Sequence, residues 1–401
     1  MKTNLFAIIE ELQHICSQLK RMIPKMASIK ALAALIFFGL TAFQLGAQQD
    51  PSYTHFTYNK LLYNPAYAGA SDNFCINAIT HQQWLGYRDE SPLIGTQGNG
   101  FPATGDRVRG VNPQTLGAGF SAPIRLKIKD EKVNVGGAYA SFISDQLGYE
   151  SSTYFRGGLA GAYGLPDGSS IRVGVEVTSL TKSIDGSKLR YHDPNDPNIP
   201  VGLSSDSKIN LGTGIYYMNP NILDGVWGGI SMTNLLPTEF SYSTGGSNTV
   251  TVVTTQNLYI SGGVRKDQFL GNPSLRLEPA FLLKSAMGEN GGFIKPELDL
   301  QGMVTYNDLY AAGLNLRSYV AGVDALSIMV GFYPPIPGNA SGQQQTLRVG
   351  YSYDITLSNI RRTSNGTHEL QVNYCFNFSL PDKAPRIYRH PRWMVRDPLK
   401  D

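Results

Sequence analysis

Between Thr346 and Phe378 the chain reads TLRVGYSYDITLSNIRRTSNGTHELQVNYCFNF. Leu347, Val349, Tyr351, Tyr353 and Ile355 alternate with Arg348, Gly350, Ser352 and Asp354. After a polar turn, Leu370, Val372, Tyr374, Phe376 and Phe378 alternate with Glu369, Gln371, Asn373, Cys375 and Asn377. Successive side chains of a strand point to opposite faces, so each strand has one apolar and one polar side. Aromatic residues sit towards the strand ends on the apolar side, and charges lie on the other. Segments of about ten residues, apolar outward and polar inward with aromatic ends, are the pattern of a transmembrane β-barrel strand. A barrel closes only if the rest of the chain repeats it.

The repetition is there. Strands are expected near 115–126, 132–144, 151–164, 169–183, 207–218, 225–236, 252–265, 273–286, 293–305, 308–318 and 323–333. A first strand sets Phe74, Ile76 and Ala78 against Cys75, Asn77 and His81, and ends at Gln82-Gln83-Trp84. With the closing hairpin the total is fourteen, and the fold expected is all-β: a closed antiparallel transmembrane β-barrel. An even count puts both barrel ends on the periplasmic side. Segments 184–206 and 237–251 then fall outside the cell, and the long polar loop from Arg88 to about Pro113 has a length that lies outside a membrane rather than within it. The tight link Pro166-Asp167-Gly168 falls on the periplasmic side. The polar face carries Arg156, Arg172, Glu176, Arg265, Arg276, Glu278, Lys295, Glu297, Asp299, Arg317, Arg348, Asp354 and Glu369. The competing reading is the wet side of a sheet in a soluble secreted protein. Long apolar rows on many successive strands favour lipid instead.

Composition agrees. Charged residues are 16% of the chain, with 43 Gly, 22 Tyr and 17 Phe. The net charge of +3 is too small to imply a nucleic-acid partner. No GxSxG, HExxH, P-loop or dinucleotide-binding motif occurs, and His81, His192, His368 and His390 lack metal-ligand spacing. The reading is therefore non-enzymatic, with no cofactor and no metal.

Arg21, Lys25 and Lys30 precede an apolar run from Ala31 to Phe43, then Leu45-Gly46-Ala47. This reads as a signal peptide over residues 1–47, with Met22 or Met26 as alternative starts; an anchor helix is disfavoured by the short apolar run. Residues 48–72 are aromatic-rich but not alternating, with a turn at Asn64-Pro65, and precede a barrel over 73–379. By alternation Cys75 and Cys375 share the polar face at the seam where first and last strands meet. A disulfide there and two free buried thiols are both open. Residues 380–401 form a basic tail with Arg386, Arg389, Arg392, Trp393 and Arg396, either a periplasmic docking arm or a flexible end.

The segment DPSYTHFTYNKLLYNPAYAGA, followed by His81-Gln82-Gln83-Trp84-Leu85-Gly86, resembles the opening of the PorP/SprF family of type IX secretion system outer-membrane proteins of Bacteroidetes. So do Asp185-Gly186-Ser187-Lys188-Leu189-Arg190, Pro273-Ser274, Gly350-Tyr351-Ser352-Tyr353-Asp354 and Gly366-Thr367-His368-Glu369. Asn64-Pro65-Ala66 also resembles a turn in the N-terminal plug of FadL-like fourteen-strand transporters. The first long loop and the basic tail depart from the family's usual form. The resemblance implies secretion or surface display of adhesins, including gliding-type functions. Its implied partners are outer-membrane lipid, an exported surface protein and periplasmic components of the system. The site residues expected are Asn64, Pro65 and Ala66 in a plug turn, Gln83 and Trp84 at the outer end of the first strand, and Tyr353, Asp354, His368 and Glu369 in the closing hairpin. The alternative is a FadL-like channel for hydrophobic small molecules. A dry apolar pocket beneath the plug would favour the channel, and a pocketless, ion-paired lumen would favour docking.

Overall fold

The computed structural model describes residues 50–87, 112–128, 131–189, 200, 202–244, 249–287, 293–319, 322–336, 345–362 and 364–377. The expected signal peptide, the tail from 380 onward and the first long loop over 88–111 lie outside the described residues. Among the described residues, no helix is long and apolar enough to cross a membrane.

The strands are β1 (Phe74–Gln82), β2 (Gln114–Ile128), β3 (Glu131–Leu147), β4 (Glu150–Gly164), β5 (Ser170–Asp185), β6 (Leu203–Asn219), β7 (Val226–Thr233), β8 (Thr238–Ser243) and β9 (Thr249–Thr254). They continue with β10 (Asn257–Val264), β11 (Lys266–Asp267), β12 (Leu275–Met287), β13 (Phe293–Tyr306), β14 (Tyr310–Tyr319), β15 (Gly322–Phe332), β16 (Gln345–Thr356) and β17 (Thr367–Phe376). β1–β7, β10 and β12–β17 each pair antiparallel with their neighbours, β10 pairs with β12, and β1 with β17. The result is a closed fourteen-strand antiparallel barrel. β11 is a two-residue extension against β12, and β8–β9 form a separate hairpin.

The alternation read from the sequence sorts the side chains as the closed sheet requires. On β5, Ile171, Val173, Val175 and Val177 are 41–58% exposed on the outside, while Arg172 and Glu176 are 3% exposed on the inside. Leu159, Ile209, Leu314, Ile328 and Leu370 extend the apolar outer band around the barrel. Its margins are aromatic. Phe74 stacks on Phe376 and Tyr310 lies against Phe332 at the end where the barrel begins and finishes. Phe142 and Phe155 pair towards the opposite, distal end. A spanning strand needs about 9–11 residues, so β3 and β6, at 17 each, rise beyond the hydrocarbon, whereas β7 and β10, at 8 each, make a low section of wall.

Three expectations need correction. The expected strand 252–265 starts at Asn257, and the segment 237–251 is not simply an open loop. Most of it belongs to the β8–β9 hairpin, in which Phe240 and Tyr242 alternate with Glu239, Ser241 and Ser243. Phe240 and Tyr242 are 0% and 2% exposed, so burial of these two rings holds the hairpin down. Its Ser/Thr-rich composition hides that short alternation. Arg265, expected on the inner wall, lies instead in the turn after β10 and is paired with Asp267. Lys295 is on β13, but its side chain is outside the described residues.

Candidate functional site

Residues 50–73 run inside the ring and touch inward side chains from nearly every part of it. Their backbone forms no ladder with the wall, and irregular backbone at membrane depth persists only where protein satisfies its polar groups. The wall supplies those partners. Arg172 donates to the carbonyls of Ala68 (2.6 Å) and Ala66 (3.3 Å), and Arg156 to that of Leu62 (2.9 Å). Ser231 donates to the Tyr63 carbonyl (2.6 Å), and Asn134 to that of Gly69 (2.9 Å). The turn itself is local chemistry. Pro65 sets the first residue of a 3₁₀ turn, and the Asn64 side chain accepts from the Ala66 N–H (2.9 Å). The Asn64 amide also donates outward to the carbonyl of Ile215 on β6 (3.0 Å).

Glycines on the inner wall make room for this backbone. A Cβ at Gly137 would lie 2.3 Å from the Ala68 carbonyl oxygen, and one at Gly174 would lie 2.3 Å from the Ala66 nitrogen. Strand glycines mark such close approach of a second backbone.

A single carboxylate anchors the beginning of the segment. Glu369 accepts from the Thr54 N–H (2.8 Å), the His55 N–H (2.7 Å), His55 Nδ1 (2.6 Å) and His81 Nδ1 (2.8 Å). An ionised carboxylate only accepts, so both rings carry their proton on Nδ1. Beside it, Thr54 donates to Asp354 (3.0 Å), and Arg317 bridges Asp299 (3.0 Å), Glu297 (3.3 Å) and Asp354 (3.5 Å). Lys284 completes the net on Glu297 and Asp299 and donates to Ser52 (2.6 Å). Across the lumen, Arg156 pairs with Asp50 (3.0 Å). Each of these charges is nearly inaccessible, so each depends on its partners for the solvation it has lost.

The two ends of the lumen differ. Towards the distal end an apolar cluster joins Tyr53, Phe56, Leu62 and Tyr63 of the segment to Ile79, Ile143, Leu180 and Leu282 of the wall and to Phe240 and Tyr242 of the hairpin. Towards the terminal end lie two adjoining cavities of about 310 and 230 Å³, both bordered by Thr57, Tyr58, Tyr67, Ser71 and Arg348. At that rim, hydrogen bonds from Arg265 hold the exposed Asp267 carboxyl below the usual carboxylate range.

Residues 45–374 match the family described as Type IX secretion system membrane protein PorP/SprF. The chain belongs to the PorP/SprF family. It is accordingly an outer-membrane barrel of the type IX secretion system, and the family is one of secretion membrane proteins rather than enzymes. No curated protein matches. Among solved structures, the TodX monoaromatic hydrocarbon channel deltaS2 mutant gives a TM-score of 0.44 at 10% identity, covering 80% of this chain and 94% of that one. The P. putida toluene transporter TodX gives 0.42 at 9%, with 80% and 95% covered. A Pseudomonas aeruginosa FadL homologue gives 0.41 at 11%, with 79% and 93% covered.

In this PorP/SprF chain the residues singled out from sequence divide into groups. Asn64, Pro65 and Ala66 form the buried turn against β5, β6 and β7. The closing-hairpin residues separate: Asp354 and Glu369 face the lumen and hold the inner segment, whereas Tyr353 and His368 pack against each other on the outer side (5.1 Å between rings). Gln83 and Trp84 lie just past β1, where the Trp84 N–H donates to Thr367 Oγ1 (3.1 Å). Cys75 and Cys375 are paired in register and joined as a disulfide. Arg386, Arg389, Arg392, Trp393 and Arg396 lie outside the described residues. His55, Thr54 and the Lys284–Arg317 net were missed as a site, although most of the wall members stood on the expected polar face.

Proposed function

We propose that the chain is a closed docking platform of the type IX secretion system, holding an exported surface protein at the distal, extracellular end. Residues 48–72 act as a fixed plug rather than a moving gate. Residues 1–47 direct export as a cleaved signal peptide, and the basic tail with Arg386, Arg389, Arg392, Trp393 and Arg396 reaches periplasmic components. The cargo class is an adhesin-like surface protein, in a gliding-type or export role. The observation that carries this reading is the Glu369 node. A carboxylate with four buried donors, flanked by the Arg317–Lys284 net, fixes the segment across the lumen and leaves little for a permeant to displace cheaply. The cavities weigh against a channel for hydrophobic molecules, because Lys60, Arg348, Glu278 and several amides line them.

The experiment is paired. Purified chain in planar bilayers is expected to be electrically silent, and deletion of residues 50–72 to open a steady conductance. In cells, replacing the distal β8–β9 hairpin by a short turn is expected to abolish retention of the exported surface protein while the barrel still assembles. Steady conductance by the intact chain, or uptake of a hydrophobic solute that depends on it, would favour the channel.

A further inference from the structure

We infer that the vestibule at the terminal end is a binding site for the carboxylate-bearing, extended peptide segment of a soluble partner. The surface-docking reading is not needed for this; the site lies at the opposite mouth of the barrel.

The first observation is a difference among the lumen's cations. Arg156, Lys182, Lys284 and Arg317 each meet a carboxylate oxygen, and Arg172 meets two backbone carbonyls. Lys60 and Arg348 do neither. Lys60 Nζ stands 3.6 Å from the centre of a Trp227 ring, 5.2 Å from Tyr67 and 3.3 Å from the Tyr216 hydroxyl. Arg348 lies over Tyr58 (5.7 Å) and Tyr333 (5.5 Å). Among the described residues no carboxylate reaches ion-pair distance of either one. Ring faces attract a cation, but they do not neutralise it, and a sequestered cation without a counter-ion favours an arriving anion.

The second observation is where these cations point. Lys60 borders the larger cavity, and Arg348 borders both. Their remaining lining mixes aromatic rings (Tyr67, Trp227) and amides (Asn73, Asn373) with aliphatic side chains such as Met218, Val226 and Met303. Asp224 and Arg265 on the same lining already pair with Lys266 and Asp267, which leaves Lys60 and Arg348 against Glu278. A net positive recess results. Pockets of about 300–1,000 Å³ accept drug-sized ligands, so together the two cavities exceed what a lone carboxylate needs. Asn73 and Asn373 suit peptide N–H and C=O groups, and the tyrosine faces suit side chains. The mouth lies among the turns of the terminal end, bordered by Pro220 and Gly225, rather than on the lipid-facing wall. That favours an aqueous peptide over a lipid headgroup.

The test uses the full chain in neutral detergent and a short glutamate-rich peptide carrying an uncharged dye, read by anisotropy. The expected result is saturable binding that the glutamine version of the peptide lacks. Lys60→Met and Arg348→Met should each weaken it about tenfold, a loss of about 1.4 kcal/mol, while Lys60→Arg retains it and Lys208→Gln, on the distal part of β6 and away from both cavities, leaves it unchanged. Heat-modifiable mobility on gels verifies that each variant barrel is folded. Equal binding of the glutamine peptide, undiminished binding by both Met variants, or no binding at all would overturn the proposal. Competition by free glutamate as effective as by the peptide would also overturn it, by reducing the site to a small-anion trap.

Discussion

His81 on the first barrel strand stands directly opposite Glu369 on the last, six residues along the seam from the bonded pair Cys75 and Cys375. At about 3.4 Å per residue, the covalent and the ionic fastening of the seam are some 20 Å apart. The ionic one does a second job, because the carboxylate that meets His81 also holds Thr54 and His55 of the inner segment. Wall closure and lumen occupancy therefore share one side chain.

Glu369→Gln tests that sharing. The substitution keeps the size but turns one acceptor oxygen into a donor facing N–H groups. Removing one member of a buried charged network costs about 3–5 kcal/mol. The urea midpoint of the folded barrel should fall accordingly, and bilayer conductance should rise as the segment loosens. An unchanged midpoint with silent bilayers would show that the node holds nothing.

The glycine clearances make a separate prediction. Gly174→Ala places a methyl group against the Ala66 backbone, whereas at Gly161 nothing lies within 4 Å of the new carbon. Overpacking of this kind costs about 1–3 kcal/mol. Trypsin should then cut after Lys60 in the Gly174→Ala protein, while Gly161→Ala stays as resistant as the parent. Equal resistance in both would mean that the wall yields instead of the segment.

Much of this was legible beforehand, and the seam shows where reading stopped. Facing Cys75 with Cys375 fixes the register, and the same register necessarily faces His81 with Glu369. The pairing is thus legible in the sequence once one cross-strand pair is fixed, because alternation by itself sorts faces and leaves open which residues stand opposite. Gly174 likewise stood on the expected polar face between Arg172 and Glu176, where its smallness is a clearance signal. His55 was different. It belongs to a stretch without period, and only the folded path of that stretch brings it to Glu369. The β8–β9 hairpin was obscured for another reason: its six-residue strands have too few apolar positions to separate them from a polar loop.

The disulfide closes a sequence separation of 300 residues. Cross-links of long loops stabilise by about 2–4 kcal/mol, chiefly by restricting the unfolded chain. Cys375→Ser should lower the thermal midpoint of the oxidised barrel to that of Cys75→Ser. The double variant should fall no further, and a reductant should leave all three variants unchanged. A reductant-sensitive midpoint in the double variant would assign the effect elsewhere.

The outer face gives the last prediction, because lipid and water treat it in opposite ways. Val175 is 58% exposed and its cross-strand partner Leu159 is equally bare. In water such a position tolerates Arg, with changes within about 0.5 kcal/mol. In hydrocarbon near the midplane, Arg costs about 2–4 kcal/mol, and the cost falls towards the interfaces. Val175→Arg should therefore destabilise the barrel in vesicles by that amount. Leu203→Arg, on the part of β6 that rises beyond the band, should scarcely change it. If the two variants unfold at the same denaturant concentration as the parent, the exposed band does not face lipid.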